Sequence, residues 1–562
     1  MKDYCYIYIP EQHCKTTITM KRTLSALALA FMLCFTANAS VNIIPAPGKI
    51  VEGKGEFVLK GNAVIGYNDA SISEAATYLK EILAPATGFD LRTRQGSGTI
   101  NLELSFPADP QDESYTLKVT RKKVFIKARS YKGIAYGIAS LRQLLPKEIE
   151  SKRFLPGRSW TVPVVEVEDA PAYEWRGLML DPVRHFYSVE ETKNLLDLMA
   201  LYKFSKFHWH LIDSNGWRIE IKAFPLLTSI GAWRDPKNEY IDNACNDNFE
   251  KTGDAAMQVP AKFMKVDENG KLVYGGFYTQ EEIRDIVHYA AVRGIDVVPE
   301  MDFPGHSYAE IRCYPWLSCH GDGHEPLCLG NDKVIDFCKK VFDEVFDLFP
   351  YEYVEIGGDE VSRDRWTGCE LCQERIAKEG LKDVAELQAW FTREMEKYFN
   401  AAGRKLVGWD EILDGGVSPT ATVNWWRSDP VTFKKAAVNG NQVIMCPTSH
   451  CYFDYAQDAM TIQRLYCDDL IPATLTAEER KLIKGMQGNI WGEFIPTESR
   501  MQTMAFPRAI ALAEKAWTPV DRHDYDDFLL RLTEQVKRLD VMEVDYRPLD
   551  SSFTPGFNAG IR

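Results

Sequence analysis

The chain has 562 residues, 45% hydrophobic and 26% charged, enough apolar material for one large globular domain plus a smaller one and too much for a disordered chain. Its formal net charge of -14 argues against a nucleic-acid binder, which needs a basic footprint. Aromatic residues make up 12%, and many of the 13 Trp stand beside Asp, Glu or His, as they do in sugar-binding sites, where an indole packs on the C–H face of a pyranose.

In chain order, the first feature is an export signal. Lys21 and Arg22 precede a short apolar run at 24–35, and Ala37-Asn38-Ala39 supplies a small-residue cleavage site. Residues 1–39 are therefore expected to be a signal peptide, with Met20 as a candidate true start. The run is too short to span a membrane, and no later stretch is long enough. Ten of the 13 cysteines remain after residue 39. Export permits disulfides, and Cys319 and Cys328, which flank a Gly/His/Asp-rich loop, are the first candidates for a bridge. Cys369-Glu370-Leu371-Cys372 reads as a lone C-x-x-C without a second pair at metal-binding spacing, so no metal is expected. The absence of N-x-S/T sequons after residue 39 favours a bacterial periplasm or cell surface over an animal secretory route.

Residues 40–170 are predicted to form a small α/β domain. Alternating apolar positions mark strands within 99–104 and 114–127, and helical spacing marks 73–83 and 133–145. Asp169-Ala170-Pro171-Ala172 marks its end. From Trp175 a rhythm sets in. Short apolar segments at 176–180, 206–211, 296–299, 353–356, 405–408, 422–426, 442–445 and 484–490 alternate with helical stretches at 189–202, 279–293, 334–348, 384–402 and 430–439, with further helices within 500–517 and 525–539. Eight strands alternating with helices predict a (β/α)8 barrel of the TIM type over 171–545, followed by a tail at 546–562. The polar segment 231–275 reads as an insertion at the active site.

A barrel of this kind carries its chemistry at the C-terminal ends of its strands. Polar and aromatic residues collect there: Asp181 and Arg184 after the first strand, His208, His210 and Asp213 on or after the second, Glu300, Asp302 and His306 after the third. Asp359 and Glu360 follow the fourth, Trp409, Asp410 and Glu411 the fifth, and Trp425 and Trp426 the sixth. Tyr452 and Asp454 lie beyond the seventh, and Trp491 and Glu493 beyond the eighth. Gly357-Gly358-Asp359-Glu360 is the focal motif. Two glycines permit a sharp turn and close approach, and adjacent carboxyls push their pKa values apart, so that one can hold a proton.

The motifs Phe207-His208-Trp209-His210-Leu211-Ile212-Asp213, Gly216-Trp217-Arg218, Pro299-Glu300-Met301-Asp302-Phe303-Pro304-Gly305-His306, Gly357-Gly358-Asp359-Glu360 and Trp491-Gly492-Glu493 together resemble family 20 β-N-acetylhexosaminidases. Arg176-Gly177-Leu178-Met179-Leu180-Asp181 and Gly408-Trp409-Asp410-Glu411 match as well, and the likeness runs from Tyr173 to about Trp517. Ser214 and Asn215 depart from it, since the family often has a second Asp after the position of Asp213.

The resemblance implies removal of terminal β-linked N-acetylhexosamine from glycans, with no cofactor, by attack of the sugar's own acetamido oxygen on C1. It implies Glu360 as general acid and base, Asp359 as the group that orients the acetamido N–H, and Tyr452 as donor to the acetamido carbonyl. Trp409, Trp426 and Trp491 would wall the pocket, and Arg176, Asp454 and Glu493 would hold hydroxyls, with Asp213 and His306 as a supporting pair. Trp426 is preferred to Trp425 because Arg427 follows it. Three other readings use the same residues: a metal-dependent hydrolase built on His208, His210, Asp213, Glu300 and His306, a non-catalytic sugar-binding protein, and a two-carboxylate glycosidase pairing Glu360 with Glu300 or Glu411. The oligomeric state is not readable from the sequence.

Overall fold

The computed structural model describes residues 41–549 apart from Ala459; the expected leader at 1–39 and all but the first residues of the tail at 546–562 lie outside them. Seven strands form the first layer: β1 (Lys49–Leu59), β2 (Val64–Tyr67), β3 (Arg92–Gln95), β4 (Ile100–Leu104), β5 (Tyr115–Val119), β6 (Val124–Ala128) and β7 (Trp160–Asp169). Their order is β1-β7-β5-β6-β4-β2-β3, antiparallel from β1 to β6 and parallel beyond. The expected strand at 114–127 is a hairpin, β5 and β6, and its alternating burial leaves one face for packing. Helices α1 (Ser73–Thr87) and α2 (Tyr131–Leu144) cover that face and pack in turn on barrel helices Val189–Leu201 and Gln280–Val292.

The eight expected strands close into a parallel barrel. They are Trp175–Leu180, Lys206–His210, Asp296–Glu300, Tyr353–Glu355, Lys405–Trp409, Thr422–Trp425, Gln442–Met445 and Ile483–Ile490. The first, second and last are buried along their whole length, as strands enclosed by helices must be. The helices start where sequence chemistry dictates: Ser188 with Glu191, and Thr279 with Glu282, form capping boxes at two of them. The stretch 500–517 is two helices, Glu498–Ala505 and Arg508–Trp517, because Pro507 cannot donate the backbone N–H that continuity requires.

The insertion is folded rather than loose. It contains helix Tyr240–Thr252 and a hairpin of Met264–Val266 with Leu272–Gly275. Its Arg234 pairs with buried Asp242 and donates to the carbonyls of Arg184 (2.5 Å) and Val183 (3.3 Å), which fixes the loop after the first strand. The bridge expected between Cys319 and Cys328 does not form. Cys328 Sγ lies 3.7 Å from the sulfurs of both Cys369 and Cys372, and Cys319 Sγ lies 3.8 Å from that of Cys372. The C-x-x-C therefore does have a second pair, 41 residues upstream in one contact, beyond the reach of local spacing rules. Among the described residues, no helix is long and apolar enough to cross a membrane.

Candidate active site

The fourth strand ends at Glu355, and Ile356-Gly357-Gly358-Asp359-Glu360 turns outward at its C-terminal end. Gly357, Gly358 and Glu360 all have positive φ, at 72°, 95° and 49°. A Cβ on Gly357 would stand 2.0 Å from Asp302 Oδ1, so this position excludes every side chain. Asp302 Oδ1 in turn accepts from Gly358 N–H (3.1 Å) and holds the turn. The result sets two neighbouring carboxylates in different surroundings: Asp359 is buried, whereas the Glu360 side chain is 62% exposed.

These two line a cavity of about 290 Å³ with Arg184, His306, Trp426, Tyr452, Trp491 and Glu493. Asp359 Oδ1 is buried there without a hydrogen-bond partner. A buried anionic oxygen left bare is costly, and a ligand N–H is the group that would satisfy it. His306 Nε2 lies 3.5 Å from Asp359 Oδ2 and 3.9 Å from Glu360 Oε2, while its Nδ1 lies 3.5 Å from Asp213 Oδ1. Burial works against the charged imidazole, but Asp213 outweighs it and holds the His306 pKa well above the usual range. A cationic His306 therefore sits between Asp213 and the carboxylate pair.

Asp213 also receives Arg184 Nη2 at 2.6 Å and faces His210 Nε2 at 3.3 Å. Burial opposes its charge, but the Arg184 guanidinium keeps its pKa well below the carboxylate range. Beneath the cavity Glu300 is a hub: His210 Nδ1 (2.6 Å), His208 Nε2 (2.9 Å) and Trp409 Nε1–H (2.8 Å) all converge on it. This network engages the histidines that a metal-centred reading would need as ligands. Glu300 was expected at its strand end; its fully buried neighbour Glu355, which accepts from Asn424 (2.9 Å), was not among the expected site residues. The signal for Glu355 was a carboxylate ending an otherwise apolar strand.

The aromatic walls follow the expectation in part. Trp426 stacks on Tyr452 with centroids 6.2 Å apart and donates from its indole to Glu411 Oε2 (2.9 Å). Trp425 points the other way, packing on Phe433 of helix Pro430–Asn439 and donating to the Asp429 carbonyl. Successive strand residues face opposite sides, so only one of the pair can reach the cavity. Trp409 lies one layer below, 5.7 Å from the Trp491 ring. Asp454 follows Tyr452 by two residues in the turn after helix Thr448–Cys451 and is half-buried.

Arg176 requires a correction. It is the second residue of its strand, at the N-terminal mouth of the barrel, and is buried there. Its guanidinium pairs with Glu113 (2.7 Å), donates to the carbonyls of Lys203 (2.9 Å) and Tyr173 (2.7 Å), and lies over the rings of Trp517 and Tyr136. A hydroxyl-holding role is closed to it. Arg184, beyond the other end of the same strand, occupies the cavity, braced by Asp181 (2.8 Å) and lying 5.1 Å over Trp491. The cue was Asp181-Pro182-Val183-Arg184, past the strand end rather than inside it.

Residues 173–520 match the glycosyl hydrolase family 20 catalytic domain, and residues 40–170 match domain 2 of the same family. The chain is 37% identical to a β-hexosaminidase of Porphyromonas gingivalis over 91% of its own length, but spans only 64% of that relative. It is 34% identical to a β-hexosaminidase of Vibrio furnissii, covering 85% of this chain and 77% of the relative. Among solved structures it resembles a family 20 exo-β-N-acetylglucosaminidase of Vibrio harveyi in complex with N-acetylglucosamine, with TM-score 0.76, 32% identity, and 90% and 78% of the two chains covered. It also resembles a β-N-acetylhexosaminidase of Streptomyces coelicolor, with TM-score 0.75, 30% identity, and 92% and 99% covered. The cavity at the barrel mouth and these likenesses over both domains together establish that the chain belongs to glycosyl hydrolase family 20.

Proposed function

We propose that this chain is an exported β-N-acetylhexosaminidase that releases one terminal N-acetylhexosamine at a time, with retention of configuration, by substrate-assisted catalysis. The observation that carries the reading is the bare, buried Asp359 Oδ1 beside the exposed Glu360 in a cavity of about 290 Å³. That volume lies at the low end of ligand pockets, roughly 300–1,000 Å³, and suits one sugar ring better than an open chain. The signal peptide expected within residues 1–39 supports export to a periplasm or cell surface.

In the proposed reaction the Glu360 carboxyl gives its proton to the glycosidic oxygen as the C1–O bond breaks. The acetamido carbonyl oxygen forms a bond to C1, and Asp359 accepts the acetamido N–H and stabilises the positive charge of the oxazolinium. The Glu360 carboxylate then takes a proton from water, whose oxygen attacks C1 and reopens the ring. In this reading Tyr452 donates to the acetamido carbonyl, Trp426 and Trp491 enclose it, and Arg184 and Glu493 hold sugar hydroxyls; all five line the cavity with Asp359 and Glu360. A thiazoline mimic of the oxazoline should inhibit at concentrations far below the substrate KM. Indifference to it, with cleavage of N-acetylhexosaminides intact, points instead to a protein nucleophile.

A further inference from the structure

We propose that Cys319, Cys328, Cys369 and Cys372 hold one zinc ion, which ties together the two loops that carry His306 and the Asp359-Glu360 pair. All four side chains are buried and their sulfurs lie within 4.8 Å of one another. A tetrahedral zinc with Zn–S bonds of about 2.3 Å has S···S edges of about 3.8 Å. Three of the S···S distances here are 3.7, 3.7 and 3.8 Å. A disulfide arrangement pairs each sulfur with one partner at about 2.05 Å. Here Cys328 is equidistant from Cys369 and Cys372, and Cys372 is shared between Cys328 and Cys319, which is the pattern of a polyhedron around a common centre.

The backbone supports the same centre. A Cβ on Gly330 would fall 2.1 Å from the Leu371 carbonyl carbon and 2.3 Å from Cys372 N, so only glycine lets the two cysteine-bearing segments come this close. Cys369 caps helix Glu370–Glu379 and Cys372 lies in its first turn, where the helix field favours a thiolate. All-thiolate, closed tetrahedral sets select zinc over hard cations. The position gives the ion its purpose. Cys319 and Cys328 lie in the connection after the third strand, beyond His306, and Cys369 and Cys372 in the connection after the fourth, beyond Glu360, at the start of helix Glu370–Glu379. Between the two, Trp366 Nε1–H donates to the Leu327 carbonyl (2.9 Å), and Arg365 pairs with Asp322. Glu325, three residues before Cys328, accepts from Ser307 N–H (2.9 Å) next to His306. The site is structural, and its chemistry is independent of the hydrolytic reading.

The test is elemental analysis of the mature chain purified without added metal or chelator, with thiols counted after denaturation in chelator but without reductant. About one zinc per chain and all ten cysteines after residue 39 titrating as thiols are expected. Replacing the metal with Co²⁺ should give intense tetrahedral visible bands and thiolate charge transfer, which Cys372→Ser should weaken. Cys372→Ser should also lower the midpoint of thermal unfolding. Four fewer thiols, signifying two disulfides, would overturn the proposal. So would four free thiols without bound metal, or iron in place of zinc.

Discussion

The two ends of the barrel hold buried arginines on either side of one strand, and the contrast between them separates chemistry from architecture. Arg176, at the N-terminal end, is enclosed by Glu113, backbone carbonyls and aromatic faces, and joins the small domain to the barrel. Arg184, past the C-terminal end, is held by Asp181 and Asp213 so that it borders an open cavity. The residue type is the same and the burial similar. What differs is whether every neighbour is protein, and that follows from position along the strand.

The contrast predicts that changes at the upper end cost turnover and changes at the lower end cost stability. Glu360→Gln should show the largest effect, a loss of about 10²–10⁴-fold in kcat on natural glycans, with an unfolding midpoint near wild type because the side chain is exposed. Near-normal turnover would remove Glu360 from its proposed role. Arg184→Lys should raise KM by about tenfold or more, since an ammonium cannot reproduce the guanidinium fork. Arg176→Lys should leave KM alone and lower stability, measured by denaturant unfolding, by up to about 3–5 kcal/mol if its pairing with buried Glu113 is lost. Equal KM values for the two variants would dissolve the comparison. Trp426→Phe should weaken substrate binding by about 1–2 kcal/mol, whereas Trp425→Phe should change only stability, as competitive inhibition by the free sugar and thermal unfolding would reveal.

A further effect concerns pH. Burial, reinforced by the charges of Asp359 and Asp410, raises the Glu411 pKa from 4.5 to about 8. Between those values the unfolded chain has lost this proton and the folded chain keeps it, so this group's contribution to stability declines as pH rises from 4.5 to 8. Glu411→Gln should flatten that part of the stability–pH curve; an unchanged slope would assign the pH dependence to other groups.

Much of this was legible because period and position carry physical meaning. The seventh strand and the helix before it match their expected spans at both ends, since Gly440 and Pro430 punctuate them. Asp359 and Glu360 were legible because glycines with forced positive φ precede them at a strand end. Arg176 was misjudged because a motif match says that a residue matters without saying to what. The doubled Trp was settled only by which ring met a helix. Glu300 gathers two histidines and an indole from the second and fifth strands, and the four cysteines meet from two loops; such long-range convergence leaves no local trace.

The central claim is that Asp359 serves an acetamido group that supplies its own nucleophile. The direct measurement is kcat/KM for two nitrophenyl β-glycosides alike in every respect except C2, one bearing the acetamido group and the other a hydroxyl. The account predicts efficient release from the first and, for the second, a rate lower by at least about 10³-fold, the loss expected when a site built to bind an N–H is left with its buried acceptor unpaired. Comparable rates on the two substrates would contradict it.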